Sequence, residues 1–380
     1  MDKQKICIIG DGLAGLSTAA ILSQENIKID LYIGKNKKNK SKNDIRVTAV
    51  SESSYQFIIQ NLKIKNRNIF RPCKEINLFF EEKNNIKNFL NFKKKNLMYI
   101  FQNKKLKKKI DEQIAKRKNI TLIKKDITSI DYLDGSILLN KNKFFYDLII
   151  LCIGGKSKLY NKITRGRSIE KNYKEVALTT TIKHGSKINK VSQFFLNEGP
   201  LAILPFEKNF FSVVWSVSNL SFQKNNKFLK QFLNSKIKLC INNLKIKKID
   251  KIQSFPINLN LKTKYFKKNI LILGDGLHSI HPMAGQGFNL VLRDIKKLNE
   301  LVSENLRLGL LFKNSFLLKK FYQSRKPENT FFGLGVNLTN VFFKDNKYLN
   351  PIKKVILNNI KNFSFLKKIS QTISDKGIII

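Results

Sequence analysis

Several residue types that mark particular chemistries are scarce in this chain of 380 residues: it has one tryptophan, three histidines, four cysteines and seven prolines. Cys7, Cys73, Cys152 and Cys240 are scattered with no CxxC pair. That spacing indicates neither a zinc ribbon nor a disulfide framework, and the expected setting is a reducing cytoplasm. His278 and His281 stand three apart without a third ligand nearby, so they are expected to be turn residues and no metal site is expected. No nucleophile elbow accompanies the histidines, which argues against a Ser-His-Asp hydrolase. No apolar run reaches the roughly 18 residues of a membrane-spanning helix. The opening MDKQKICIIGDG lacks the apolar core and cleavage site of a signal peptide. Hydrophobic residues at 42% and charged residues at 26% are globular values and exclude a disordered or fibrous chain. The length suits two interleaved domains.

Acidic residues are also few. Lys and Arg total 72 against 27 Asp and Glu, a formal net charge of +45. Only nine of the cations are arginine, the residue that reads phosphate and guanine bidentately. The lysines are spread along the whole chain in runs such as KNKKNKSKN (35–43), FKKKN (92–96) and KKLKKKI (104–110). They read as a solvated surface shaped by AT-rich codons, with attraction to an anionic membrane surface as the second reading. No RRM, KH, zinc-finger or helix-turn-helix signature accompanies the charge, which argues against nucleic acid.

Residues 4–9 (QKICII) form a continuous apolar run, as a parallel strand buried on both faces requires. Gly10-Asp11-Gly12-Leu13-Ala14-Gly15 and a small-residue helix follow, and IKIDLYI (27–33) closes a βαβ unit. Residues 44–62 read as a turn into a helix, and 99–118 as a strongly basic helix. Strands are expected at 119–124, 136–140 and 147–154. From 176 to 258, alternating segments such as VALTTTIK and FFSVVWSVS predict an antiparallel sheet, with Trp215 on its core face. NILILGDG (269–276) returns to α/β texture, a helix is expected from 286 to 304, and 315–380 reads as amphipathic helices.

Two motifs carry chemistry. In the strand–loop–helix context, Gly10, Gly12 and Gly15 fit a dinucleotide pyrophosphate: glycine permits the tight turn, close approach of the phosphates and helix–strand packing. The carboxylate expected to hold the ribose at the end of the second strand is missing; Gly34 stands there, and Asp30 lies too early in the strand. The second motif runs from Gly274-Asp275-Gly276 through His278 and His281-Pro282 to Gly285-Gln286-Gly287-Phe288-Asn289. Asp275 leaves a strand at the sheet's carboxyl edge, where ligands bind in open α/β folds, and can accept from a ribityl or ribose hydroxyl. The Gly285–Gly287 turn opens a helix whose N–H groups can face a flavin pyrimidine or a phosphate.

This long second motif resembles the GDAAHxxxPxxGQGxN pattern of the flavoprotein aromatic monooxygenases, and continues into Arg293-Asp294. The similarity is closest to the ubiquinone-biosynthesis branch, the 2-polyprenylphenol (2-octaprenyl-6-methoxyphenol) hydroxylases. The segment from Asp44 through Arg46 and Ala49 to Ser51 resembles that branch's DxRxxALS. Gly199-Pro200 to Pro205, with Ser212 to Ser216, resembles its GPLALLP…SLVWS. The tail, with Arg325 and GLGVNLTNVF, fits loosely.

The resemblance implies an α/β (mixed α+β) fold: a Rossmann-like FAD-binding domain (1–75, 97–175 and 262–315), an inserted antiparallel substrate domain (76–96 and 176–261) and a C-terminal helical region (316–380). It implies FAD held by Gly10, Gly12 and Gly15 at the pyrophosphate and by Gly274 and Asp275 at the ribityl chain. Gly285, Gln286, Gly287 and Asn289 would lie beside the isoalloxazine, with Arg46 and Asn103 near the flavin. Arg46 and Pro282 would shape the substrate pocket. The implied reaction is hydroxylation of a polyprenylated phenol with NAD(P)H and O2 through a flavin C4a-hydroperoxide, with no side-chain acid–base catalyst. The enzyme would be cytoplasmic, with peripheral placement on the inner membrane face as the second reading, alone or in a ubiquinone-synthesis complex.

One departure from the family is Gly34. A second is Gly154, which replaces the aspartate of the family's Asp-Gly pair in Ile153-Gly154-Gly155. Each missing charge-assisted hydrogen bond is worth about 1–3 kcal/mol. The losses keep two alternatives open: a non-catalytic partner in a ubiquinone-synthesis complex, and a flavin enzyme acting on a soluble aromatic substrate.

Overall fold

The computed structural model describes the chain except residues 1–2, 35–43, 65–67, 84, 128, 140–141, 156, 165–166 and 314–315, and, beyond residue 344, all but 353, 355–357, 368 and 372–377. The lysine run at 35–43 and most of the chain beyond residue 344 therefore lie outside the described residues.

A six-stranded sheet forms the first layer. It contains β1 (Lys5–Ile9), β2 (Lys28–Ile33), β6 (Ile120–Lys124), β10 (Leu148–Leu151), β17 (Phe266–Lys267) and β18 (Ile270–Ile272), in the order β17-β18-β10-β1-β2-β6. All pairs are parallel except β17–β18. The central strands are apolar without alternation because both faces are covered. α1 (Leu13–Leu22), α3 (Asn103–Ile114) and α6 (Gln286–Arg307) contribute Leu16, Ile21, Leu106, Ile110, Ile295 and Leu298 to the same core. β7 (Ser129–Asp131), β8 (Ser136–Leu139) and β9 (Asn142–Phe145) form a separate three-stranded meander.

The second sheet has ten strands. β3 (Val47–Ser51), β4 (Arg71–Glu82) and β5 (Asn85–Gln102) join β11 (Ser168–His184), β12 (Val191–Leu196), β13 (Gly199–Glu207), β14 (Phe210–Ser218), β16 (Gln253–Lys262) and β19 (His278–Ser279), with β15 (Ile246–Ile249) paired to β11. One face packs Leu178, Leu201, Val213 and Trp215 against α5 (Leu229–Cys240) through Leu233 and Ile237. Trp215 is fully buried there, as its place on an alternating strand predicts, and its indole N–H reaches the Gly199 carbonyl at 3.3 Å. The opposite face looks toward the first layer and the last long helix, α7 (Phe316–Phe343).

Three local readings need correction. Residues 47–51 are an edge strand paired with β5, and α2 begins only at Glu52 (Glu52–Leu62), where Ser51 caps it by accepting from Ser54 N. Residues 99–102 finish β5, so the basic helix starts at Asn103 and ends at Ile114. The antiparallel stretch is interrupted by α4 (Asn219–Asn225) and α5. α4 starts at a serine N-cap, Ser218, and α5 follows an apolar pair at helical spacing, Leu233 and Ile237.

Candidate flavin and substrate site

Parallel pairing brings the carboxyl ends of β1, β10 and β18 to one edge. Cys152 N donates to Ile9 O at 2.8 Å and Leu273 N to Leu151 O at 3.0 Å, so the loops after these strands start level. The glycines then divide by function. A Cβ on Gly10 would lie 2.2 Å from the Cys152 carbonyl oxygen, and one on Gly15 would lie 2.2 Å from the Gly10 carbonyl oxygen. These two glycines let strand, loop and helix touch. A Cβ on Gly12, Gly154 or Gly287 would meet nothing within 4 Å. Those positions border open space, which is what a ligand cradle requires.

The helix ends around that space have no side-chain caps. α1 follows Gly12 with no capping side chain and no acidic residue in its first turn, and α6 follows Gly285 (φ 64°) in the same way. Their first N–H groups are therefore available to an anion or a carbonyl. Beside them, the Gln286 Oε1 atom is buried without a hydrogen-bond partner. Asp275 lies exposed in a single turn, Gly274–Gly276, at the end of β18.

β3 gathers most of the remaining residues. Asn289 accepts from Ser51 N at 3.0 Å and donates to Gly285 O at 3.1 Å, so it pins the Gly285 turn to the strand. Asn103 receives the Thr48 hydroxyl at 2.6 Å, and its own backbone N–H donates to Arg46 O at 3.0 Å. Arg46 is clamped by both oxygens of Asp44, at 2.9 and 2.8 Å. The Asp44 hydrogen bonds raise its guanidinium pKa against the opposing effect of burial, and Asp275 adds to the rise. Arg46, Asn103, Gly285 and Asn289 are thus linked around β3, a Cβ on Gly274 would meet Ala14 at 2.8 Å, and Pro282 lies exposed just before the Met283–Gly285 turn.

The two histidines are not open turn residues. His278 Nε2 lies 2.7 Å from Asp294 Oδ2, and the other oxygen of Asp294 accepts from Arg325 Nε at 2.6 Å and from Asn329 at 3.1 Å. Burial alone would raise the Asp294 carboxyl; Arg325 and His278 outweigh it and hold the group below the usual carboxylate range. His281 Nε2 lies 2.9 Å from Glu175, which also pairs with Lys344 at the end of α7. Asp294, Glu175 and Glu328 were not selected from the sequence. The second motif's continuation into Arg293-Asp294 marked Asp294, and the helical spacing of Arg325, Glu328 and Asn329 could have hinted at Glu328, while nothing local marks Glu175. Arg293, next to Asp294, also reaches the backbone of a C-terminal turn at Ser374 (2.9 Å), and Asp375 of that turn caps Ser53 N at 2.9 Å.

At Gly34 the expected carboxylate has no substitute within β2. Asp30 is buried and committed to Lys5 and the Tyr146 hydroxyl, each at 2.8 Å. Asp11, inside the glycine loop, and Asp111, on α3, stand within electrostatic reach of each other. Burial raises the Asp111 carboxyl, Lys107 opposes that, and Asp11 adds to it. Among the described residues no group of three potential metal ligands exists.

Residues 149–308 match the family model described as FAD binding domain. The ubiquinone biosynthesis monooxygenase COQ6 of Dictyostelium discoideum is 25% identical over 281 residues, covering 62% of this chain and 57% of that protein. The 3-demethoxyubiquinol 3-hydroxylase of Escherichia coli is 28% identical over 162 residues, 42% of this chain and 41% of its own length. In sequence the chain is thus similar to FAD-dependent monooxygenases of ubiquinone biosynthesis, and the FAD binding domain match lies within residues 149–308. The chain spans about half the length of the curated relatives it matches. In fold it is similar to PqsL of Pseudomonas aeruginosa (TM-score 0.74, 14% identity, 92% of this chain and 99% of that one). It is also similar to p-nitrophenol 4-monooxygenase PnpA of Pseudomonas putida (TM-score 0.78, 13% identity, 100% and 99%). The tight contacts at Gly10 and Gly15, the open space at Gly12, Gly154 and Gly287, and the two uncapped helix starts fit FAD.

Proposed function

We propose that this chain hydroxylates the ring of a polyprenylated phenol in ubiquinone biosynthesis, using NAD(P)H and O2. The observation that carries the reading is the convergence of Gly10–Gly15, Asp275 and Gly285–Asn289 at one sheet edge, beside the face of the ten-stranded sheet that packs aromatic side chains. When bound, FAD supplies the two-electron chemistry that takes reducing equivalents from NAD(P)H and delivers one oxygen atom of O2 to the ring, the other leaving as water.

The chain's own work is positioning. Gly12 and the start of α1 would take the pyrophosphate, Asp275 would accept from a ribityl hydroxyl, and the Gly285–Gly287 turn would line the ring system, with Gln286 Oε1 as an acceptor. Arg46 and Asn103 would border the flavin on its β3 side, and Pro282 would shape the substrate pocket. Asn289 keeps the Gly285 turn from shifting by tying it to β3. Met283, Leu204 and Phe206, which pack in two apolar clusters, would supply walls that exclude water from the reacting ring.

The net charge of +45 supports placing the enzyme peripherally on an anionic leaflet, alone or in a ubiquinone-synthesis complex. Among the described residues no helix is long and apolar enough to cross a membrane. Pelleting with anionic but not neutral liposomes is expected.

The decisive experiment combines the visible spectrum of the purified protein with turnover under labelled dioxygen. A flavin spectrum, and one labelled oxygen atom in a prenylated phenol, are expected. A protein that stays colourless after incubation with FAD would overturn the reading in favour of a non-catalytic partner, for which Gly34 and Gly154 speak. Transfer of label only to a tailless aromatic would favour a soluble substrate.

A further inference from the structure

Outside the residues assigned to flavin, one apolar cluster enters the mechanism above only through Met283. Phe89 on β5, Phe195 on β12 and Met283 on the turn before α6 are buried together, and Phe343 at the last position of α7 enters between them. The Phe343 ring stacks on Phe195 with centroids 3.5 Å apart and 12° between planes, and lies 5.6 Å from Phe89. Phe80 closes the far side, 5.9 Å from Phe89. The walls come from a rigid sheet, but Phe343 belongs to a helix end and is only partly buried.

Two observations say what this slot accommodates. First, it is continuous with the proposed reaction site, because Met283 belongs both to the slot and to the Met283–Gly285 turn that precedes α6. Second, α7 leaves Phe331, Leu334, Leu338 and Val341 exposed at a spacing of three, four and three residues, a single apolar stripe that ends beside Phe342 and Phe343. An apolar track thus runs along the helix to the slot, and every side chain forming the slot is apolar. The helix end that carries Phe343 is tied to the flavin turn through Lys344, Glu175 and His281.

We propose that this slot receives the first isoprene units of the substrate's tail, and that Phe343 is the gate that occupies it until the tail displaces the ring. The inference rests on the reading of the substrate as a prenylated phenol. A branched hydrocarbon chain without polar atoms suits a site built from aromatic faces and a thioether, where apolar burial supplies the affinity.

The test uses a farnesylated phenol and the same phenol bearing a methyl group in its place. Binding to the FAD-loaded protein is measured by equilibrium dialysis without reductant, and turnover is measured separately. Phe343→Trp fills the slot, so it is expected to weaken farnesylated-phenol binding about tenfold while the methyl analogue stays within about twofold. Phe343→Leu should restore most of the difference, and Phe145→Ala, on the exposed meander, should change neither. As a second measurement on the unmodified protein, a photoreactive farnesyl analogue is expected to label peptides containing Phe89, Phe195 or Phe343.

Equal binding of both ligands by wild type, equal weakening of both by Phe343→Trp, or labelling confined to other peptides overturns the slot. Hydroxylation with a tail preference indifferent to Phe343→Trp overturns the slot and leaves the proposed function standing. Tail-selective binding without any oxygen transfer does the reverse.

Discussion

His281 Nε2 and Glu175 Oε2 meet 2.9 Å apart across 106 residues of sequence, joining the turn before α6 to a strand of the ten-stranded sheet, with both side chains buried. Through its second oxygen Glu175 also holds Lys344, so one carboxylate fixes the flavin turn to the end of α7. A buried charge between two donors is worth more as a constraint than as net stabilisation, because desolvation offsets much of the attraction.

Glu175→Gln preserves the shape and removes the charge. Burial would raise this carboxyl, but the His281 and Lys344 hydrogen bonds hold it below the usual range. A lowered folded-state pKa contributes stability that is present above the unfolded value, roughly 4.3, and is lost as pH falls through the folded one. Urea unfolding should therefore show wild type ahead of the variant by about 1–3 kcal/mol at pH 7. The gap should shrink below about pH 4. A gap independent of pH would refute the assignment.

Asp294 is completely buried between Arg325 and His278. Asp294→Asn leaves Glu328 as the only carboxylate recorded on the guanidinium, and removal of one member of such a buried ion pair costs about 3–5 kcal/mol. The midpoint of chemical unfolding at pH 7 checks this; a loss below about 1 kcal/mol would mean that the pair is not formed.

Substitutions in the glycine loop are expected to separate folding from cofactor binding. Gly10→Ala drives a Cβ into the Cys152 carbonyl and adds a side chain at φ 132°, so the flavin-free protein itself should lose thermal stability. Gly12→Ala meets no protein atom and should leave the flavin-free Tm unchanged while weakening FAD by about tenfold or more through steric conflict with the pyrophosphate. Thermal scans and flavin titration of both variants decide the point. Equal behaviour of the two would contradict it.

Asp275 is exposed and makes no contribution to the core. Asp275→Ala should leave unfolding unaltered and reduce FAD affinity by about 10–100-fold, the worth of one charge-assisted hydrogen bond. Undiminished flavin retention would remove this residue from the site.

The sequence by itself determined the βαβ opening, the glycine loop and the turn before α6, because each is a local demand. A buried parallel strand must be apolar throughout, and a close backbone approach admits only glycine. Trp215 and the alternating strands around it were legible for the same reason. Lost from view were β3 at Val47–Ser51, whose identity depends on pairing with Tyr99 and Ile100 some fifty residues away, and the end of β5, which runs directly into the lysine-rich helix at Asn103. Only the tertiary structure could decide that His278 and His281 serve buried carboxylates, since Asp294 and Glu175 become their neighbours through packing rather than spacing. The same holds for Phe89, Phe195, Met283 and Phe343. Taken singly in the sequence each is one more apolar residue. They form one buried cluster because two sheet strands, a turn and a helix end bury apolar area at the same place.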